Sequence, residues 1–368
     1  MRMTIPQPQL LKSLQLIEHA VNDRSALPIL ANVLLEAKEQ ELVLTATDLD
    51  VGVRYQLPLI EQLESGSVTL PARRLATIIR ELPEEPVTIE AKNNHTAIVS
   101  CGTSRFRIPG LPPEDFPLLP PITHTHTTTI PQSTLKTLIT HTAFAMSLEE
   151  TRFVLNGTLL QTKDDALTLV ATDGRRLAVA IARDSRAQEH QPLSAVIPAK
   201  TIRELGRLLQ DDDEDPVSIA PIKDNQLLFQ FGAVTVITRL IEGQFPQYES
   251  VVPASSPSTL TCSRQLLTDA TRRASLMTTA ISQAVVFELA KDRLVVSKES
   301  AELGSAREEL PATYRGEPMT IAFNPEFWLD ALKVLESDDV TIEVTSPEKP
   351  AVIRLPQFLY IVLPMKLA

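Results

Sequence analysis

The chain has 368 residues, a net charge of −11, and hydrophobic and charged fractions of 43% and 22%. At about 150 residues per domain, this length predicts two or three domains, each able to bury its own core. No apolar run approaches the roughly 18 residues that a membrane-spanning helix needs, and the N-terminal stretch MRMTIPQPQLLKSLQ lacks the apolar segment of a secretory signal.

The first third of the chain predicts a helix, strands, a second helix and more strands. Apolar residues recur at helical spacing from Leu10, which predicts a helix over 6–20. The alternating stretch LVLTATDLDVGVRY predicts paired strands around Asp48, and a helical pattern covers 71–82. A stretch rich in proline and threonine at 118–128 has the composition of a linker.

The second third repeats this order. Helical patterns cover 131–146 and 198–209, and between them the stretch LTLVATDGRRLAVA places Asp173 125 residues after Asp48. A second linker-like stretch, VPASSPST, follows at 252–259. The repeated order indicates one structural unit that occurs at least twice.

The last third contains a third, more divergent copy. Helical patterns cover 263–276 and 325–337, and LVVSKESAE replaces the Ala-Thr-Asp stretch. One proline accompanies the second helix of each copy, with successive spacings of 127 and 127 residues: Pro71, Pro198 and Pro325. A proline at the first helical position is favourable because its missing N–H would be unpaired there, so we expect each of them to begin its helix.

The repeat predicts an α+β fold with three similar domains. Each domain is expected to pack two helices on antiparallel sheets. The expected boundaries are 1–122, 128–252 and 258–368. In this interpretation Ala-Thr-Asp marks the repeat, and its threonine and aspartate cap a turn at the end of a strand by hydrogen bonds to the backbone. Asp48 and Asp173 then lie in separate domains and cannot act as a catalytic pair.

No constellation of residues predicts catalysis. The chain has no phosphate-binding glycine loop, no GxSxG and no HExxH. His124 and His126 lie in the linker without a neighbouring cysteine or carboxylate, and the acidic run at 211–216 lacks the spacing and glycine of a calcium loop. Cys101 and Cys262 are far apart, as for reduced thiols in a cytoplasmic protein. We therefore expect no enzymatic activity, no metal and no cofactor.

Positive charge is concentrated on the predicted helices. They carry a net charge of +5, which leaves −16 for the rest of the chain. Basic helices on an acidic body predict one face that meets a polyanion, although helical lysines and arginines could also simply face solvent. Aromatic residues make up only 4%, so stacking on single strands is poorly supported and contact with phosphates, without sequence readout, is favoured. The basic residues include Lys12, Arg73, Arg74, Lys136, Lys200, Arg203, Arg272 and Arg273.

Five stretches, together with the repeat, carry a family resemblance over the whole chain: LPILAN at 27–32, RFVLNG at 152–157, VATDGRRLAV at 170–179, FPQY at 245–248 and YIVLPMKL at 360–367. The sequence resembles bacterial DNA polymerase III beta subunits, the replicative sliding clamps. The resemblance implies a head-to-tail homodimeric ring that encircles duplex DNA without sequence specificity. It also implies that the ring tethers the polymerase III catalytic subunit, and binds the clamp loader and other proteins, through a peptide-binding groove. Such a protein is a processivity factor.

Helix dimensions agree with a dimer. Six helices side by side, at about 9–10 Å spacing, would enclose a hole of only about 8 Å. Twelve helices from two chains would enclose about 26 Å, enough for a duplex of about 20 Å.

The resemblance also implies residue roles. DNA contacts are expected at Arg24, Arg73, Arg152, Phe153 and Lys200. The peptide groove is expected at Leu155, Thr172, Gly174, Arg175, Arg176, Leu177, Pro246, Val251, Ile361, Leu363, Pro364 and Met365. The dimer contact is expected to join Arg74, Ile78, Phe106 and Ile108 of one chain to Leu276, Met277, Glu302 and Glu308 of the other.

Two other interpretations remain open from the sequence. One is a three-domain enzyme or small-ligand protein in which Arg175 and Arg176 bind an anion. The other is a scaffold that forms no ring and whose basic helices bind nothing.

Overall fold

A computed structural model describes residues 1–92, 94–120, 128–163, 165–183, 193–211, 214–222 and 225–366. The chain forms two compact units. The first consists mainly of Met1–Lys136 and Arg203–Leu240, and the second mainly of Thr137–Gln188 and Ile241–Ala368. The linker histidines at 124 and 126, and part of the acidic run at 211–216, lie outside the described residues.

Each repeat contains two helices and eight or more strands. The first repeat comprises β1 (Arg2–Pro6), α1 (Gln7–Ile17), β2 (Asn32–Lys38), β3 (Glu41–Thr47), β4 (Val51–Pro58), β5 (Glu61–Glu64), β6 (Gly66–Pro71), α2 (Ala72–Glu81), β7 (Pro86–Ala91), β8 (Thr96–Cys101) and β9 (Ser104–Pro109). The second comprises β10 (Thr128–Ile130), α3 (Gln132–Thr142), β11 (Gly157–Lys163), β12 (Ala166–Thr172), β13 (Arg176–Arg183), β14 (Leu193–Pro198), α4 (Ala199–Leu208), β15 (Val217–Ile222), β16 (Gln226–Phe231) and β17 (Val234–Arg239).

The third comprises β18 (Ser258–Ser263), α5 (Arg264–Ser275), β19 (Val285–Ala290), β20 (Arg293–Ser300), β21 (Gly304–Arg315), β22 (Met319–Phe323), α6 (Pro325–Val334), β23 (Asp339–Val344), β24 (Ala351–Leu355) and β25 (Phe358–Val362). The α+β expectation is confirmed, and all six predicted helices are present with slightly shorter ends.

The strands form three antiparallel sheets. The first unit has a five-stranded sheet, β5-β1-β7-β8-β9, and an eight-stranded sheet, β10-β15-β16-β17-β4-β3-β2-β6. The second unit has a twelve-stranded sheet, β14-β11-β12-β13-β25-β24-β23-β18-β21-β20-β19-β22. Pairing of β4 with β17 joins the first repeat to the second, and pairing of β13 with β25 joins the second to the third. Each large sheet therefore takes strands from two repeats, which is why the compact units do not coincide with the repeats.

The helices bury one apolar face each against these sheets or against a partner helix. In α1, Leu10, Leu14 and Ile17 are at most 1% exposed. Burial of such side chains stabilises the fold by about 1.5–3 kcal/mol each. In α6, Trp328 is fully buried, with its ring 5.6 Å from that of Phe287. The spacing of apolar residues in the sequence thus corresponds to the buried helix faces.

The expectation for the three prolines was wrong at two of them. Only Pro325 is the first residue of its helix. Pro71 is the last residue of β6, opposite Asn32, and Pro198 is the last residue of β14, opposite Gly157. A proline is tolerated at the end of a strand because its missing N–H interrupts no further pairing.

The two strand pairs that join the repeats differ at one equivalent position. Gly52 faces Ile237 across the β4–β17 pair, whereas Leu177 faces Ile361 across the β13–β25 pair. A side chain added at Gly52 would clash with Leu119, which packs on Ile237 and its neighbours. The first junction (the β4–β17 pair) is therefore covered by the chain's own leucine.

Both cysteines are buried and chemically protected. Cys101 is 2% exposed and Cys262 is 4% exposed. Burial raises the pKa of both thiols, with a smaller contribution from nearby carboxylates, and the pKa of Cys262 reaches about 12. Because the thiolate is the reactive form, only about one Cys262 in ten thousand would be ionised at pH 8.

We therefore expect native protein to react very slowly with the thiol reagent DTNB at pH 8. Two thiols per chain should become titratable at once in guanidinium chloride. Rapid labelling of one cysteine in the native protein would contradict this expectation.

Candidate functional site

The first Ala-Thr-Asp stretch forms a turn held by its own side chains. The Thr47 hydroxyl accepts a hydrogen bond from the Leu49 N–H and donates one to the Val51 carbonyl, each at 3.0 Å. Asp48 Oδ1 accepts from the N–H groups of Asp50 and Val51 at 3.1 and 2.8 Å. These side chains form hydrogen bonds with backbone groups that the turn would otherwise leave unpaired.

The second Ala-Thr-Asp stretch forms the same kind of turn, with different residues after its aspartate. The Thr172 hydroxyl accepts from the Gly174 N–H at 3.0 Å and donates to the Arg176 carbonyl at 2.6 Å, while Asp173 Oδ1 accepts from the N–H groups of Arg175 and Arg176. Gly174 has φ of +84°, a left-handed conformation that glycine adopts without strain. The structural role predicted for both motifs is confirmed.

An open groove of about 210 Å³ lies beside this second turn. Ten of the twelve residues that the sequence suggested for a groove line it: Leu155, Thr172, Gly174, Arg175, Arg176, Leu177, Pro246, Val251, Ile361 and Leu363. They come from the turn, from the strands β13 and β25, and from two loops. Residues separated by up to about 200 positions are thus brought to one place by the pairing of β13 with β25.

The floor of the groove is apolar. Leu177 and Ile361 face each other across the two strands and are 4% and 3% exposed. They belong to a buried cluster with Leu159, Val170 and Val352. A floor of this kind can take an apolar side chain from a ligand, and polar groups at its rim can orient that ligand.

Three lining residues were missed from the sequence, and two suggested residues are absent from the lining. Gln247, Tyr248 and Pro350 contribute to the wall. Pro364 and Met365 do not line the groove, because the chain beyond Leu363 pairs at Met365 with Ala322. Tyr248 is half-buried, and burial with the adjacent Glu249 raises the pKa of its hydroxyl to about 12, so it stays neutral.

Arg176 is anchored at the rim by three hydrogen-bond acceptors. Its Nε donates to Asp173 Oδ2 at 3.1 Å, its Nη1 to Asp330 Oδ2 at 2.7 Å, and its Nη2 to the Phe144 carbonyl at 2.6 Å. Its guanidinium carbon lies 4.5 Å from the ring centre of Phe327. Burial by itself would lower the pKa of Arg176, but the bond to Asp330 and the surrounding charges outweigh burial and raise that pKa. Arg176 is therefore a fixed cation.

The suggested DNA contacts lie on exposed surfaces. In the first unit Arg24 is exposed, and Arg73 Nη1 lies 2.7 Å from the carboxylate of Asp23. In the second unit Phe153 is 60% exposed, and Arg152 donates to the Asp173 carbonyl at 2.9 Å.

Lys200 is exposed on α4. The bond from Arg152 to the Asp173 carbonyl places Arg152 next to the groove turn, a position that the sequence did not indicate.

The residues suggested for the dimer contact differ in how exposed they are. In the first unit Arg74 and Phe106 are exposed and Ile78 is half-buried. Phe106 lies on β9, an edge strand of the five-stranded sheet. In the second unit Leu276 and Glu302 are exposed, and Met277 is half-buried.

Two suggested dimer residues are engaged inside the chain. Ile108 is 1% exposed and lies opposite buried Ala97, so its side chain belongs to the core and does not reach the surface. Glu308 accepts hydrogen bonds from Arg273 at 2.6 and 3.0 Å, and this contact lowers the pKa of its carboxyl. Any pairing of Glu308 with Arg74 of another chain would share a carboxylate that already pairs with Arg273. Among the two acids, Glu302 is the accessible one.

Within the described residues there is no group of three or more histidine, cysteine, aspartate or glutamate side chains arranged to hold a metal ion. No helix in the same part of the chain is long and apolar enough to cross a membrane.

Comparison with known proteins covers the chain from end to end. The N-terminal, central and C-terminal domains of the DNA polymerase III beta subunit match residues 1–120, 129–247 and 249–366. The beta sliding clamp of Pseudomonas putida is 34% identical over the full length of both chains.

Solved structures are similar over the same extent. The DNA polymerase sliding clamp of Bacillus subtilis is 31% identical, with a TM-score of 0.93 and full coverage of both chains. The sliding clamp of Pseudomonas aeruginosa bound to griselimycin is 33% identical, with a TM-score of 0.94 and full coverage. With three consecutive domain matches and full-length relatives above 30% identity, the chain belongs to the DNA polymerase III beta subunit family, the DNA sliding clamps.

Proposed function

We propose that this sliding clamp works as a head-to-tail homodimeric ring that encircles duplex DNA in the cytoplasm and has no catalytic activity of its own. Its chain would comprise three clamp domains at about residues 1–122, 128–252 and 258–368. Its contribution to replication would be topological, since a closed ring stays on DNA without tight contacts and can therefore slide. The residues that would contact DNA are Arg24, Arg73, Arg152, Phe153 and Lys200.

The groove beside the second turn is the observation that supports a tethering role. An apolar floor at Leu177 and Ile361 with Arg175 exposed at the rim suits a short peptide that carries apolar anchors next to an acidic residue. We propose that the replicative polymerase, the clamp loader and other partners bind here through such segments. Each chain would hold one such segment at a time.

An anion-binding or enzymatic role for Arg175 and Arg176 is less well supported. All three guanidinium nitrogens of Arg176 already donate to acceptors within the chain. Three of its five N–H groups are therefore occupied, and the adjoining carboxylates of Asp173 and Asp330 would repel a small anion.

Retention on circular DNA tests the ring. The protein would be loaded on a nicked circular plasmid with a bacterial clamp loader and ATP, then separated by gel filtration. We expect co-elution with the circle and release when a restriction enzyme linearises it. Equal retention on linear and circular DNA would contradict a topological link.

Binding of a probe peptide tests the groove. The probe is a short fluorescein-labelled peptide in which an aspartate precedes two leucines and a phenylalanine, and its fluorescence anisotropy reports binding. We expect saturable binding with one site per chain, lost on Leu177→Asp. Binding that survives Leu177→Asp unchanged would place the peptide elsewhere.

A further inference from the structure

Helix α6 contacts the groove residue Arg176 through two side chains. Asp330 accepts the bond from Arg176 Nη1 at 2.7 Å, and the Phe327 ring lies under the guanidinium at 4.5 Å. Neither residue lines the groove. Because they are three positions apart, Phe327 and Asp330 lie on the same face of the helix and reach one side chain together.

The start of α6 is itself fixed to a groove strand. The Tyr360 hydroxyl donates to the Phe327 carbonyl at 2.7 Å, and Tyr360 is fully buried on β25, next to the groove residue Ile361. One position further along the helix, Trp328 is fully buried in the core of the third repeat. The position of Phe327 and Asp330 relative to the groove is thus set by buried contacts on both sides.

The guanidinium is held in one orientation by acceptors from three different places. A guanidinium is a planar group whose donors have a fixed geometry, so simultaneous bonds to Asp173, Asp330 and the Phe144 carbonyl define its plane. The Arg176 side chain is only 10% exposed, whereas Asp330 is 43% exposed. Without Asp330, the Nη1 end would lose its acceptor, and only the bonds to Asp173 and the Phe144 carbonyl would hold the guanidinium plane.

We propose that Asp330 and Phe327 are positioning residues of the partner groove. They hold Arg176 flat, so that its side chain and the Asp173–Arg175 turn keep the shape into which an apolar anchor of a partner peptide fits. The assignment rests on the proposed role of the groove as a peptide site. By linkage, peptide binding also stabilises the contact between α6 and this turn.

Asp330→Asn is the first test, because it keeps the shape of the side chain and removes its charge. We expect the probe peptide to bind about five- to thirtyfold more weakly, because the asparagine oxygen still accepts a bond but without the charge of the carboxylate. Asp330→Glu should restore most of the affinity. Phe327→Leu should weaken binding about two- to fivefold, as expected for an exposed cation–π contact.

Glu326→Gln is the matched control, since it removes a carboxylate from the same helix where no contact with Arg176 exists. We expect its affinity for the probe to equal that of the unaltered protein. The Nε–H resonance of Arg176, assigned by its loss in Arg176→Lys, should shift in Asp330→Asn and not in Glu326→Gln. That resonance reports the orientation of the guanidinium directly.

The possible results distinguish failure of the positioning role from failure of the proposed groove function. If Asp330→Asn lowers the unfolding midpoint but leaves the Arg176 resonance and the peptide affinity unchanged, Asp330 is purely structural and the positioning role is wrong. If the unaltered protein fails to bind the probe, the proposed groove function is wrong and the positioning role falls with it. A loss of affinity that Asp330→Glu reverses supports the assignment.

Discussion

Arg176→Ala should both destabilise the second unit and weaken binding of the probe peptide. We expect the free energy of unfolding of this unit to fall by about 2–3 kcal/mol, less than for a fully buried ion pair because Asp330 can regain water. Binding should weaken by at least about tenfold. The two effects have separate physical origins and can be measured separately.

The loss of stability comes from acceptors that lose their donors. Asp173 and the Phe144 carbonyl are partly buried beside Arg176, and alanine provides no replacement for the bonds at 3.1 and 2.6 Å. The aromatic rings of Phe144 and Phe327, which lie 5.6 and 4.5 Å from the guanidinium carbon, would border a void. The loss of binding follows because the groove wall formed by the arginine stem disappears.

Arg175→Ala is the control for the stability measurement. Arg175 lies on the same rim and is exposed, so its replacement should change stability by no more than about 0.5 kcal/mol. Urea unfolding followed by tryptophan fluorescence reports the second unit, because Trp328 is the chain's single tryptophan. Equal stabilities for the two variants would show that the Arg176 contacts contribute little.

Phe106→Asp should convert the proposed dimer into monomers. Phe106 is 38% exposed on the edge strand β9, where only Val99 of β8 lies opposite it in the chain's five-stranded sheet. A carboxylate at the centre of an apolar contact would lose its water without gaining a counter-ion, which costs several kcal/mol. Sedimentation velocity at micromolar concentration should then show a species of half the mass.

Leu63→Asp is the matched control for the dimer. Leu63 is 54% exposed on β5, the opposite edge of the same sheet. It introduces the same charge at the same kind of position but outside the proposed contact, so this variant should sediment like the unaltered protein. An intact dimer in Phe106→Asp would remove β9 from the interface, and dissociation of both variants would indicate general destabilisation.

Local patterns in the sequence predicted the repeated elements well. Helical spacing from Leu10 and the alternation before Asp48 and Asp173 depend on neighbours within one element, and the structure has these elements with little change at their ends. The turn role of Thr172 and Asp173 was equally accessible, since both bond to groups within four residues. Local chemistry of this kind can be derived without coordinates.

Contacts between distant segments could not be predicted in the same way. Asp330 lies 154 residues after Arg176, and no periodicity connects them. Tyr248 and Pro350 enter the groove wall because loops from two repeats meet there, which depends on the pairing of β13 with β25. A composition or motif search cannot detect such a meeting.

The residues suggested for the dimer contact show a second limit of prediction from the sequence. Ile108 and Phe106 are two positions apart on one strand, so alternation predicts the same face for both, yet one is buried and the other exposed. Glu308 likewise could not be recognised as paired, because Arg273 lies 35 residues away.

The exchange of leucine for glycine at one strand position makes the two junctions different surfaces. Leu119 closes the first junction over Gly52, whereas the second junction keeps Leu177 as the floor of an open groove. A ring of two chains would thus carry two docking places rather than four. Under the proposed function, two partner proteins could therefore be bound to one ring at the same time, one at each groove.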